Sequence, residues 1–238
     1  DLFDFVVFYS DEWVQGGGVD DLGSGYGVYA KVYDAQGNEK LDIDVADQRR
    51  EWWPMLAGGD SHALLVWQQF VPGRIDARLK AAVLDPATGS LTDPVVLHER
   101  LEYYNYNVAW LPDVHRFLLV ASADGKGFAY LLDDAGHVTA SLACMPATVR
   151  EAGIAVAPTA TAQPTAVAYT PAADGRLLQL RASGDALTLA GTLPTASGQR
   201  ADWRPIGSLG LFTDAGQLVW LSLTDAGLVQ YRVDPQMA

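Results

Sequence analysis

Four arginines recur at fifty-residue intervals, at Arg50, Arg100, Arg150 and Arg200, and a carboxylate follows each within two positions: Glu51, Glu102, Glu151 and Asp202. In three of the four copies aromatics come next, Trp52 and Trp53, Tyr103 and Tyr104, then Trp203. Two chemistries suit such a set. Guanidinium groups brought to one opening bind an anion, while the aromatic faces stack on its apolar part. Alternatively, each arginine pairs with a carboxylate of its own or an adjacent repeat and ties the repeats together. Like charges at close range repel, so arginines gathered together need the acids or a ligand beside them.

A hydrolytic reading draws on the same region. Tyr103-Tyr-Asn-Tyr-Asn107 is the richest local cluster of aromatic and amide groups. With Glu51, Asn105 or Asn107 and Asp202, it could build a metal-centred hydrolase or lactonase-like pocket in which the ion polarises a carbonyl. The sequence offers no general base, no nucleophile beside a histidine and no G-x-S-x-G turn to complete it, so no catalytic residue is assigned. Asp42, Asp44 and Asp47, or Asp20 and Asp21, could offer oxygen ligands, but neither group has the spacing of a calcium loop. Calcium is compatible with the sequence and not required by it. Strand alternation puts Asp42 and Asp44 on one face, where charge at an outer edge discourages edge pairing. His62, His98, His115 and His137 occur singly and read as surface or capping residues, and the single Cys144 reads as a small apolar filler.

The elements that must carry these side chains are short strands. Apolar and β-branched runs such as Phe5-Val-Val-Phe8, Tyr29-Ala-Lys-Val-Tyr33, Leu64-Leu-Val-Trp67, Phe117-Leu-Leu-Val120 and Leu218-Val-Trp-Leu221 are punctuated by turn signals. The turns are Asp34-Ala-Gln-Gly37, Asp85-Pro-Ala-Thr-Gly89, Asp133-Asp-Ala-Gly136, Ser183-Gly184-Asp185 and Asp225-Ala-Gly227, so their glycines recur at 52, 47, 48 and 43 residues. Aspartate bonds its own following backbone and glycine reaches positive φ, which makes each a hairpin signal. No stretch has the spacing, cap and stop of a packed helix.

Four strands fit each repeat. In the third copy they are expected near Asn105–Trp110, Arg116–Ala121, Gly127–Leu132 and His137–Leu142. That is the pattern of a β-propeller blade. The expectation is an all-β propeller of about five blades in a single domain over 1–238, with blades near 1–47, 48–99, 100–147, 148–197 and 198–238. The first blade lacks its inner strand, because Phe3–Tyr9 matches the second strand of the others. Ser10–Gly25 is the longest loop, and Ala157–Thr165 reads as a loose connection between two strands.

Leu64-Leu-Val-Trp67, the following Ala77–Leu84 and the turn Asp85-Pro-Ala-Thr-Gly89 resemble the repeat of secreted bacterial β-propeller proteins, in which an "LVVW" strand precedes an arginine-containing strand and a "D-x-x-G" turn. Val108-Ala-Trp110 and Phe117-Leu-Leu-Val120 are similar. The resemblance implies a propeller fold and carries no catalytic residue. The fourth and fifth copies lose or move the tryptophan of the second strand.

Composition narrows the class of partner. Sixteen basic against twenty-nine acidic residues give a net charge of −13, which repels nucleic acid and anionic membranes alike. No apolar run approaches the length of a membrane span. A single cysteine excludes an internal disulfide, and a start at Asp1 is compatible with a cleaved leader. The expectation is a periplasmic or extracellular recognition or assembly protein. It would bind an anionic or glycan-like ligand, or a protein partner, through Arg50, Arg100, Arg150, Arg200, Glu51, Glu102, Asp202, Trp52, Trp53, Tyr103, Tyr104, Asn105 and Trp203. A structural subunit whose first blade is completed by another chain, in a hetero-oligomer, is the further alternative.

Overall fold

A computed structural model describes residues 5–11, 27–46, 50–150, 153–157, 165–194, 211–224 and 227–233. All regular structure among them is β, with eighteen strands in five antiparallel sheets and no helix. The first sheet joins β1 (Phe5–Asp11), β2 (Gly27–Tyr33) and β3 (Glu39–Ala46). The second joins β4 (Glu51–Gly58), β5 (Ala63–Phe70), β6 (Ala77–Leu84) and β7 (Val95–Leu101). The third joins β8 (Tyr106–Leu111), β9 (Arg116–Ala123), β10 (Lys126–Leu132) and β11 (Val138–Pro146). The fourth joins β12 (Ala155–Ala157), β13 (Thr165–Pro171), β14 (Arg176–Ser183) and β15 (Ala186–Pro194), and the fifth β16 (Leu211–Asp214), β17 (Gln217–Thr224) and β18 (Gly227–Val233).

Each sheet is a meander in chain order, the plan of a propeller blade. The turn chemistry explains the register. Asp85 accepts the Ala87 amide at 2.8 Å and the Thr88 hydroxyl at 2.7 Å, and Gly89 closes the turn at φ 77°. Asp34 repeats the device, accepting the amides of Gln36 at 2.9 Å and Asn38 at 2.8 Å. The first sheet has three described strands, and β1 is its edge, as the match of Phe3–Tyr9 to a second strand anticipated. Most of the long first loop (12–26), the connection 158–164 and residues 195–210 lie outside the described residues.

The chain divides into two compact units, 1–103 with 134–136 and 104–133 with 137–238. In the first, Val28, Ala30 and Val32 of β2 pack on Leu65 and Trp67 of β5, and Phe8 meets the Trp67 ring edge-on at 6.1 Å. Residues Ala63–Gln68 are buried on both faces of the sheet, so this strand reads as an unbroken apolar run rather than an alternation. In the second unit Leu118 and Val120 of β9 and Leu131 of β10 meet Ala166, Ala168 and Leu180. A further cluster sets Ala155, Tyr169 and Leu177 against Leu211, Leu218 and Trp220, with Trp220 stacked on Tyr231 at 5.3 Å.

One expectation is overturned by a bulge. Cys144 is exposed, not an apolar filler, and has φ 61°. Between the pairs Gly127–Met145 and Ala129–Leu142 the β10–β11 ladder loses register, so β11 pushes residues 143 and 144 outward and Met145 takes the buried position.

Candidate binding rim

The candidate site of the first unit lies at one end of the second sheet. The Phe70 amide donates to the Arg50 carbonyl at 2.8 Å, Phe70 faces Ala77, and Ala77 faces Leu101. Arg50, Phe70, Ala77 and Leu101 thus form the last rung, flanked by Arg100 and Tyr103. Arg50 precedes the first strand of this sheet and Arg100 is the penultimate residue of its fourth, so both belong to one blade.

Aromatic rings cover the rung. The Arg50 guanidinium sits over the Phe70 ring, 5.4 Å from its centroid. Phe70 stacks on Tyr103 at 5.9 Å with an interplanar angle of 15°, and Trp52 meets Phe70 edge-on at 6.4 Å. Arg50 and Trp53 adopt left-handed backbone at φ 65° and 60°, as does Tyr104 at 63°. Such conformations cost a non-glycine residue about 1 kcal/mol or more. The β4–β5 ladder breaks register between Trp52 and Met55, which leaves Trp53 exposed beside the rung.

Below the aromatic layer, Asp76 is clamped by two arginines, Arg74 Nε at 2.5 Å and Arg100 Nε at 2.7 Å. The bond from Arg74 first, and that from Arg100 after it, hold the Asp76 carboxyl below the usual range. Arg74 Nη2 also donates to the Glu99 carbonyl at 2.7 Å, and Arg78 Nε to the Glu99 carboxylate at 2.9 Å. The Arg100 side chain is nevertheless 58 % exposed. Four guanidinium groups, at positions 50, 74, 78 and 100, therefore concentrate at one sheet end of an acidic chain.

The remaining expected residues take other places. Glu51 turns inward and is 0 % exposed. Its carboxylate accepts Trp67 Nε1 at 2.6 Å, Gln69 Nε2 at 2.7 Å and Lys80 Nζ at 3.0 Å. The cation beside it is a lysine of the same blade, and the group serves the interior. Asn105 is 2 % exposed, giving Nδ2–H to the Thr148 carbonyl at 3.0 Å and accepting the Thr148 hydroxyl at 2.6 Å. Ser122 Oγ completes that network by accepting the Thr148 amide at 2.9 Å. Glu102 and Tyr104 are half-buried, and Arg150 is exposed in the second unit. Glu151, Arg200, Asp202 and Trp203 lie outside the described residues.

Phe70, Arg74, Asp76, Arg78 and Glu99 were not anticipated as site residues. A signal existed in Val71-Pro-Gly-Arg-Ile-Asp76, a Pro-Gly turn carrying an arginine and an acid between the second and third strands. The histidines also find local partners, His62 Nδ1 lying 2.8 Å from Asp134 and His137 Nδ1 3.2 Å from Asp133. Asp42 is paired with Lys31 at 3.2 Å. Among the described residues no three His, Cys, Asp or Glu side chains gather as a metal site.

No protein-family model and no curated protein matches the chain. Solved structures do. A GH43 β-1,3-galactosidase with galactodeoxynojirimycin aligns over 96 % of this chain and 90 % of its own, at 12 % identity and a TM-score of 0.50. A protein assigned as an exo-β-1,3-galactanase from Bifidobacterium bifidum s17 aligns over 97 % and 85 %, at 12 % identity and 0.52. A prolyl endopeptidase aligns over 96 % of this chain and 31 % of its own, at 12 % identity and 0.52. At such identities the likeness concerns the fold. The described residues form an all-β fold of five three- or four-stranded sheets, with GH43 β-propellers among the structural neighbours of the chain.

Proposed function

We propose that this propeller recognises an acidic glycan, outside the cytoplasm, through the rim of its second sheet. The observation that carries the reading is the stacked Phe70–Tyr103 pair, with Arg50 over the Phe70 ring and the exposed Arg100 held by Asp76 at the same sheet end. Sugar rings offer apolar faces to aromatic side chains, and a uronate or sulfate group offers oxygens to a guanidinium fork. Two carboxylates in the rim favour binding over chemistry, because Asp76 and Glu99 are each engaged by arginine. Hydrolysis of a glycosidic bond instead needs two carboxyl groups flanking the substrate, one able to hold a proton. The fold likeness to galactan-acting enzymes is compatible with a carbohydrate ligand and names none.

Titration with oligogalacturonate and with its neutral galactose counterpart tests the proposal. The acidic oligomer should bind, the neutral one at least tenfold more weakly, and Arg100→Ala and Tyr103→Ala should each weaken the acidic complex. Equal binding of both oligomers, or indifference to both substitutions, refutes it.

A further inference from the structure

Ile75 is 94 % exposed, an isoleucine at the tip of the loop between β5 and β6. The tip is held in place. The Arg74 amide donates to the Val71 carbonyl at 3.2 Å, and the Arg74 side chain is fixed to Asp76 and to the Glu99 carbonyl. An apolar knob beside the Arg74–Asp76–Arg100 clamp, in which two guanidinium groups share one carboxylate, is thus presented at one end of the second sheet.

The other end of the same sheet carries its complement. A groove of about 380 Å³ opens between the β4–β5 and β6–β7 connections, with Val6, Leu56, Pro86 and Ala87 as its apolar walls. Its polar border is acidic. Asp60 lines it, Asp85 begins the turn that supplies Pro86 and Ala87, and Asp134 holds the lining residue His62 at 2.8 Å. Knob and groove match in both polarity and charge: isoleucine with arginines on one side, an apolar cleft with aspartates on the other.

We propose that two copies of this chain associate head to tail, the Ile75 knob of one entering the Leu56–Pro86–Ala87 groove of the next. Because the two surfaces lie at opposite ends of one sheet, the contact is heterologous and extends into rows or rings rather than stopping at a two-fold dimer. A buried apolar anchor surrounded by complementary charge supplies both the stability and the orientation of such a contact. The proposal does not rest on the glycan reading, since it uses Ile75 and the far groove rather than the Phe70–Tyr103 pair.

Sedimentation velocity over a concentration series, at low and high salt, tests it. Wild-type protein should show mass rising with concentration, and less so at high salt. Ile75→Glu removes the knob, and Ala87→Arg fills and recharges the groove. Each variant alone should stay monomeric, and their mixture should give a one-to-one dimer, because one intact knob and one intact groove remain. Asp60→Lys gives a second groove variant with the same expected complementation. A wild-type protein that stays monomeric throughout, an Ile75→Glu variant that associates like wild type, or a mixture that fails to pair overturns the proposal.

Discussion

Removing the charge of Lys80 separates the architectural role of Glu51 from a ligand-binding one. Glu51 is wholly inaccessible and Lys80 only 14 % exposed, so the 3.0 Å pair has little water to fall back on. In Lys80→Met an unbranched apolar side chain is kept, while the ammonium over the Trp67 ring is lost and the carboxylate is left with only the neutral donors Trp67 and Gln69. An uncompensated buried charge costs about 3–5 kcal/mol. Glu51→Leu should lose a comparable amount, because the ammonium and the buried indole N–H both lose their acceptor. In the double variant no charge is stranded, and the loss should fall to about 1–3 kcal/mol, chiefly for the indole N–H. Urea unfolding followed by far-UV circular dichroism measures all three. A Lys80→Met loss of under about 1 kcal/mol, as for an exposed pair, would refute the reasoning. So would a double variant as unstable as the sum of the singles.

Arg100→Ala should cost no more than about 1 kcal/mol, since the Arg100 side chain is exposed and Asp76 keeps Arg74, yet it should weaken acidic-glycan binding; urea unfolding beside calorimetry distinguishes the two effects. Thr148→Val should destabilise by about 1–3 kcal/mol, because it removes the buried hydroxyl that donates to Asn105 Oδ1 at 2.6 Å and bonds Ser122 Oγ at 2.9 Å, as chemical denaturation would show. Asp76, whose folded carboxyl titrates below its unfolded value, adds stability above that unfolded value and loses it as pH falls through the folded one; the acid limb of an unfolding curve should therefore flatten in Asp76→Asn. Cys144 should react with a thiol reagent in the native protein at a rate close to that of the unfolded chain.

Turns and strands were legible in the sequence because their causes are local. Aspartate with a following glycine makes the hairpin whatever the rest of the chain does, and the observed strands of the third sheet begin within one residue of the expected positions. The site was less legible because the arginine period conceals a slip of one residue. Glu51 directly follows Arg50, whereas Leu101 stands between Arg100 and Glu102. Side chains alternate along a strand, so a one-residue change of offset exchanges interior for rim. Glu51 and Leu101 accordingly occupy buried positions, and Glu102 does not. The Asp76 clamp was hidden for another reason, since its partners come from positions 74 and 100, far apart in sequence and adjacent only across the β6–β7 ladder.

The same alternation couples the buried network to the rim. Along Arg50-Glu51-Trp52, the middle residue points into the sheet interior, where three donors fix it, and its neighbours face the Phe70 ring. A left-handed Arg50 is a strained backbone choice that persists only where its surroundings enforce it. The Glu51 anchor on one side and the Phe70 amide bond to the Arg50 carbonyl on the other provide that enforcement. The guanidinium is thereby placed over the Phe70 ring, which would reduce the ordering required by the glycan binding proposed above. A chain of net charge −13 can still hold a locally cationic sheet end, because Arg50, Arg74, Arg78 and Arg100 outnumber Asp76, Glu99 and Glu102 there.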